Sequence, residues 1–222
     1  MIATLSNVNT SEGREKLSDA GFSPHSTPKQ YVEGVTLRYA YHPDKKWYVL
    51  RATYGRERKA YDYMVGQETT AYLPLRFVQK QVAGRNKRVL KPLLPNILFV
   101  YTEKERIDEY VKRTPELSFL NFYYNRLISD ANGDNPPLTV GYKEMINFIE
   151  ATSVDDEHLR VVDLSQCHFK SGDMVRIIDG AFRGVQGRVA RVAGQQRVIV
   201  TIEGLCSVAT AYIPSAFIEK IE

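Results

Sequence analysis

The stretch KSGDMVRIIDGAFRGVQGRV, residues 170–189, spaces glycines at 172, 180, 184 and 187 between short pieces rich in Val and Ile. Glycine allows the tight bends found at the corners of a small barrel, and β-branched residues suit a pleated sheet. The same pattern continues in QRVIVTIEG and CSVATAYIP, where Val198, Val200 and Ile202 alternate with Arg197, Ile199 and Thr201. No helical periodicity is left over, so residues 168–222 are expected to form a small all-β barrel. Repeated glycines and the Val-x-Val-x-Ile run favour strands there over any helical alternative.

Upstream, ATSVDDEHLRVVDLSQCH has little periodicity and an acidic triplet at 155–157. Residues 152–167 therefore read as a linker, with the parts on either side expected to fold independently and to be joined flexibly.

Residues 45–151 alternate strand and helix signals. KKWYVLRATYG places Trp47, Val49 and Arg51 opposite Tyr48, Leu50 and Ala52, a strand closed by Gly55. RERKAYDYMVG spaces Ala60, Tyr61 and Met64 at helical intervals. TAYLPLRFVQKQVAGRNKRVLKPLL reads as a long basic hairpin around Ala-Gly-Arg-Asn. Pro92 and Pro95 cannot donate ladder hydrogen bonds, so they precede the next strand, NILFVYT. Two further helices follow, one in EKERIDEYVKRT ending before Pro115, and one in TVGYKEMINFIEAT with Tyr142, Met145 and Ile149 on one stripe. The expected fold is α+β, a partly antiparallel sheet with helices, followed by the barrel. Residues 1–44, with the Ser/Pro/Gly-rich GFSPHSTPKQ, are expected to be a weakly ordered extension.

Net charge is only +4, but residues 51–91 hold ten Lys/Arg against three acids. Such clustering favours a polyanionic partner, nucleic acid above all, with a solvated charged face as the alternative. No run of apolar residues is long enough for a membrane span, and the N-terminus lacks the signature of a secretory signal. Two cysteines, Cys167 and Cys206, make no disulfide framework, which points to a reduced, cytoplasmic setting. His25, His42, His158 and His168 lack zinc-site spacing, and no nucleophile elbow or phosphate-cradling loop is present. Binding without catalysis, cofactor or metal is the expectation.

WYVLRATYGRERKA at 47–60, the basic hairpin, PLLPNILFV at 92–100 and the 169–189 stretch, in that order, resemble the NusG family of transcription elongation factors. The first segments are similar to its N-terminal (NGN) domain, and the last to its KOW domain, an SH3-like barrel. The resemblance covers 45–222. Within the family the PLLPN stretch is more similar to specialised paralogues, antiterminators of the RfaH and UpxY type, which assist transcription of long operons such as those for surface polysaccharides.

The resemblance implies an apolar depression that grips the clamp helices of the largest RNA polymerase subunit. Leu94, Ile97 and Phe99 hold the matching positions. The prolines would fix Leu94 at the strand mouth, and alternation would send Ile97 and Phe99 to one face. The alternative is that all three are plain core. The resemblance also implies contact with non-template DNA. Tyr54, Arg56 and Arg58 hold those positions, with Arg85, Lys87 and Arg88 at the hairpin tip as a second cluster; arginine pairs with phosphate and stacks, and tyrosine stacks. Phe182, in the KOW loop, is expected as a partner contact, or otherwise as a barrel cap. A small-subunit ribosomal protein and the Rho terminator both stay open as barrel partners. The expected unit is a monomer. Other readings are a general factor coupling polymerase to Rho or the ribosome, and an RNA-binding or ribosome-binding module that works without polymerase.

Overall fold

The computed structural model describes residues 39–82, 85–154 and 156–221. Most of the expected N-terminal extension, the hairpin turn Ala83–Gly84 and the first acid of the 155–157 triplet lie outside the described residues.

The N-terminal sheet is built from β1 (Lys46–Ala52), β2 (Thr70–Tyr72), β5 (Ile97–Thr102) and β6 (Leu120–Phe122), in the order β2-β5-β1-β6, with β7 (Thr139–Val140) also pairing with β1. Every pairing is antiparallel. Strand β5, ILFVYT, is buried at all six positions. Its continuous apolar character follows from having cover on both faces. Trp47, Val49, Ile97, Phe99 and Tyr101 face one side, and Tyr48, Leu50, Ala52, Leu98 and Val100 the other. The second side is covered by α1 (Glu57–Gly66) and α2 (Lys104–Lys112), through Ala60, Tyr61, Met64, Ile107 and Tyr110. These are the positions their helical spacing selects.

The first side is covered by α3 (Tyr142–Thr152), and this helix departs from a one-stripe reading. Met145, Ile146, Phe148, Ile149 and Ala151 are all buried, apolar on more than one face. A helix of that kind is packed on two sides. Here one side meets the sheet, with the Phe148 and Phe99 rings 5.5 Å apart. The other meets the C-terminal barrel, so one apolar cluster runs from Phe99 through Phe148 and Ile149 to Val185, Val198 and Val200. The expectation of two flexibly joined, independent units is thereby corrected. The last residues of the N-terminal extension also join this core: Tyr39 is buried against Trp47 and Tyr72, and the Tyr142 hydroxyl donates to its carbonyl.

The barrel sheet runs β13-β9-β10-β11-β12-β8, all antiparallel, formed from β8 (Arg160–Val162), β9 (His168–Ile177), β10 (Gln186–Val192), β11 (Gln195–Ile202), β12 (Cys206–Ala209) and β13 (Ile218–Lys220). Strand β8 comes from the stretch read as linker. It pairs with β12, and Leu159 before it is buried. Three residues are too few to show a period of two, which is why the sequence pattern hid it. Gly187 marks the closest approach of β10 and β11: a Cβ there would lie 2.3 Å from the Ile199 carbonyl oxygen. Only glycine fits such a contact.

The remaining pair, β3 (Leu75–Val82) with β4 (Arg85–Pro92), forms a separate two-stranded ribbon with continuous register from Leu75↔Pro92 to Val82↔Arg85.

Candidate nucleic-acid interface

Between β1 and α1 the chain makes a tight turn, Thr53–Gly55. Tyr54 lies there with φ 59° and ψ 36°, and Gly55 follows at φ 66°. A left-handed conformation is costly for a bulky residue, on the order of 1–3 kcal/mol, and persists only where its surroundings fix it. Asn96 does so. Its carbonyl accepts from Ala52 N at 2.8 Å, and its Oδ1 accepts from Gly55 N at 2.9 Å. Asn96 is itself left-handed, at φ 65°, a region asparagine enters more readily than most residues. The outcome is a tyrosine ring 91% exposed to solvent.

The Arg56 guanidinium lies 5.5 Å from the centre of the Tyr54 ring and 4.2 Å from that of Phe119. Its orientation is fixed by two 3.1 Å bonds, Nε to the Thr53 carbonyl and NH2 to Thr53 Oγ1. Lys59 Nζ lies 5.7 Å from the Phe119 ring. Arg58 is turned along the helix to Asp62, at 3.3 Å. The turn thus offers one free aromatic face with fixed positive charge beside it. That combination stacks on an unpaired base and pairs with its phosphate.

The structure brings Tyr54 and Arg56 together as expected from their spacing, while Arg58 is engaged in a helical ion pair. Phe119, Lys59 and Asn96 escaped the sequence reading. Phe119 and Asn96 are distant in sequence, and only the Pro-Asn turn signal pointed to a left-handed residue at 96. Asn96→Gly keeps the backbone freedom and removes the Oδ1 bond. We expect it to weaken single-stranded DNA binding by about 0.5–1.5 kcal/mol, roughly 2- to 12-fold, in a fluorescence-anisotropy titration, while Asn96→Asp, which retains the acceptor, restores the ordering of the turn seen in the Tyr54 ring NMR shifts.

Arg85, Lys87 and Arg88 are exposed on the ribbon, with the Arg88 guanidinium 4.1 Å from the Phe77 ring centre. Leu94, Ile97 and Phe99 are a different matter. They were expected to line an open hollow, yet they are 7%, 9% and 0% exposed and belong to the cluster that continues into α3 and the barrel. Alternation does put Ile97 and Phe99 on one face, but that face is covered. Phe182 is likewise 3% exposed. The turn from Gly180 at φ 83° to Gly184 at φ 98° folds back through Gly184 N to the Ile177 carbonyl, at 2.8 Å, and directs the ring into the core. Phe182 is a barrel cap, which corrects the expectation of a partner contact.

The barrel is held to α3 by a two-way bond: Asn147 Nδ2 donates to the Gln186 carbonyl, and Gln186 N donates to Asn147 Oδ1, both at 2.7 Å. Around it open two clefts, of about 750 and 1220 Å³, which share Lys143, Glu144, Asn147 and Gln186. Burial raises the Glu144 carboxyl pKa, against the opposing pull of the Glu203 and Gly141 backbone groups, and the Glu203 charge adds a smaller upward effect. Burial also pushes the Cys206 thiol up to about 12, so it is protonated and a poor nucleophile at neutral pH. Among the described residues no cluster of His, Cys, Asp and Glu could hold a metal ion, and no helix is long and apolar enough to cross a membrane.

Residues 45–127 match the family described as Transcription termination factor nusG. Proteins named Transcription termination/antitermination protein NusG from Streptococcus pyogenes, serotypes M3 and M1, are 26% identical over 162 residues, which cover 67% of this chain and 82% of theirs. A solved structure described as "Domain interaction in Thermotoga maritima NusG" aligns with 80% of this chain and 98% of its own, at 22% identity and a TM-score of 0.40.

Proposed function

We propose that this chain, whose residues 45–127 match the NusG family, is a transcription elongation and antitermination factor that binds RNA polymerase and the exposed single strand of its DNA. The observation that carries this reading is the Tyr54 turn, where a strained backbone, clamped by Asn96, holds an aromatic ring in solvent beside the Arg56 guanidinium. Strain of this kind is retained where it serves a site. The names of the Streptococcus relatives favour the same role. The PLLPN stretch at 92–96 supports the finer assignment to specialised antiterminators acting on long operons, and Asn96 gives that stretch a physical task.

In this reading no bond is made or broken, and the protein works in the cytoplasm beside the polymerase. Binding that prefers the productive state of the polymerase over its paused state shifts the equilibrium toward elongation. Docking of the clamp helices on the Leu94–Ile97–Phe99 face requires part of the covering cluster to open, and because Phe148 of α3 lies against Phe99, the opening we assign to it is departure of α3 from the sheet.

The test is Tyr54→Ala. Loss of one stacked base is expected to weaken binding to a single-stranded oligonucleotide by about 1–3 kcal/mol, roughly 5- to 150-fold. Pause suppression on elongation complexes is expected to fall with it. Equal binding and equal pausing for variant and wild type would sink the reading. Capture of free RNA without any retention on polymerase would instead favour an RNA-binding module.

A further inference from the structure

Residues 39–44 belong to no strand, yet they are fixed to the N-terminal sheet through Tyr39 and His42. The Tyr39 side chain is buried, with its ring 5.7 Å from that of Trp47 on β1 and 6.5 Å from that of Tyr72 on β2. Further on, His42 N donates to the Tyr101 hydroxyl on β5 at 2.7 Å, and that hydroxyl donates to the His42 carbonyl at 3.1 Å. The chain between these anchors holds the start of α3. Tyr142, the first residue of the helix, donates its hydroxyl to the Tyr39 carbonyl. Its ring lies 5.3 Å from that of Tyr41 and 5.9 Å from that of Tyr101.

Helix α3 is thus fastened to the sheet at its start, and further contacts hold it in the middle and at its end. Phe148 packs on Phe99 in the middle. At the far end the Tyr72 hydroxyl meets Thr152 Oγ1 at 2.7 Å and Ser153 Oγ at 3.3 Å. Those two fastenings are buried, since Phe99, Phe148, Tyr72 and Thr152 are at most 2% exposed. The Tyr142 fastening is different. Tyr41 is 64% exposed and belongs to none of the apolar clusters, so its ring contact with Tyr142 can be made and broken at the surface. The Asn147–Gln186 bonds join α3 to the barrel instead, so they survive when α3 and the barrel leave the sheet together.

We propose that the Tyr39–His42 segment is a clasp that regulates access to the Leu94–Ile97–Phe99 face. With Tyr142 seated in it, α3 lies on Phe99 and the face is covered. With Tyr142 released, α3 leaves the sheet and the face is bared. The assignment rests on the docking role proposed above for that face. The clasp precedes residues 45–127, which match the NusG family, so control is exerted from outside the matched region. A protein whose binding-competent state is rare binds its partner weakly, in proportion to the open fraction. Loosening the clasp raises that fraction and tightens binding by the same factor.

The test uses full-length protein carrying Tyr142→Phe, which loses the hydroxyl bond, or Tyr41→Ala, which loses the ring contact at an exposed site, or both. Ile97→Cys is added to each as a probe of the face. Leu98→Cys, on the opposite side of β5 under α1 and α2, is the control. Burial raises the pKa of both native thiols, Cys167 and Cys206, which keeps their own reaction slow. Labelling of the Ile97→Cys probe by a thiol reagent is expected to speed up roughly 2- to 12-fold for each single variant and roughly 5- to 150-fold for the pair. Labelling of the Leu98→Cys control is expected to stay unchanged. Without the probes, affinity for polymerase elongation complexes is expected to rise by up to the same factor. Unchanged labelling of the Ile97→Cys probe in the pair overturns the clasp. Equal acceleration of probe and control also overturns it, because that reports general loosening of the fold. Faster labelling of the probe alone, with no gain in polymerase affinity, sinks the docking reading and leaves the clasp standing.

Discussion

Asn147→Ala is expected to release the barrel from α3. The Asn147 amide satisfies both the N–H and the C=O of Gln186, each at 2.7 Å. Without it, both backbone groups lose their partners in a part-buried junction while the closed form persists, and regain water only when it opens. Each such loss costs about 1–3 kcal/mol, so the closing equilibrium shifts by roughly 2–6 kcal/mol, about 30-fold at the low end and above about 10,000-fold at the high end. Domain-resolved NMR relaxation checks this directly: the variant's two parts tumble with separate, shorter correlation times, whereas the wild type tumbles as one body. Unchanged tumbling would show that the apolar part of the junction holds the domains without the amide.

The second large effect concerns Phe99. It is fully buried, with its ring 5.5 Å from that of Phe148 and 6.5 Å from that of Tyr72. A carboxylate in that place has no partner and no water. We expect Phe99→Asp to cost more than about 4 kcal/mol, a large part of an ordinary domain's stability, and to abolish the cooperative thermal transition of the N-terminal part. Loss of polymerase binding in that variant would therefore report unfolding. Phe99→Leu, which keeps the site apolar, is expected to lose roughly 1–2 kcal/mol and to fold. A Phe99→Asp protein that melts at the wild-type temperature would mean the cluster is not sealed.

Much of this architecture was legible from residue patterns. Period two in KWYVLRA and ILFVYT gave both strands and their faces, and Ala60, Tyr61 and Met64 gave the buried stripe of α1. The spaced glycines of 170–189 marked the barrel, and Gly187 shows why one of them admits no side chain. What escaped was long-range. A strand of three residues such as Arg160–Val162 has no period to detect, and its place is set by β12, far along the chain. The sequence of α3 did carry a clue, since Met145, Ile146, Phe148 and Ile149 fill more than one stripe. That breadth is the mark of a helix with two neighbours, and it was read as one stripe with flanks.

The candidate site divided along the same line. Tyr54 and Arg56 were found because they are adjacent in sequence and chemically suited to a stacked base. Asn96, which fixes their turn, acts across the sheet and emerges only from the hydrogen bonds. Phe182 shows the opposite error, and for the Leu94–Ile97–Phe99 group the pattern gave the shared face of Ile97 and Phe99 but not the cover that lies on it. An apolar side chain beside a turn or at a strand mouth looks the same in sequence whether it meets a partner or its own core. Burial separates the two cases.

A helix that belongs at once to two cores binds their histories together. A methylene gained or lost along α3 has to be absorbed by the sheet on one flank and the barrel on the other, because neither interior has slack. The halves of this molecule are therefore not interchangeable parts: a barrel borrowed from a relative would arrive shaped for another helix.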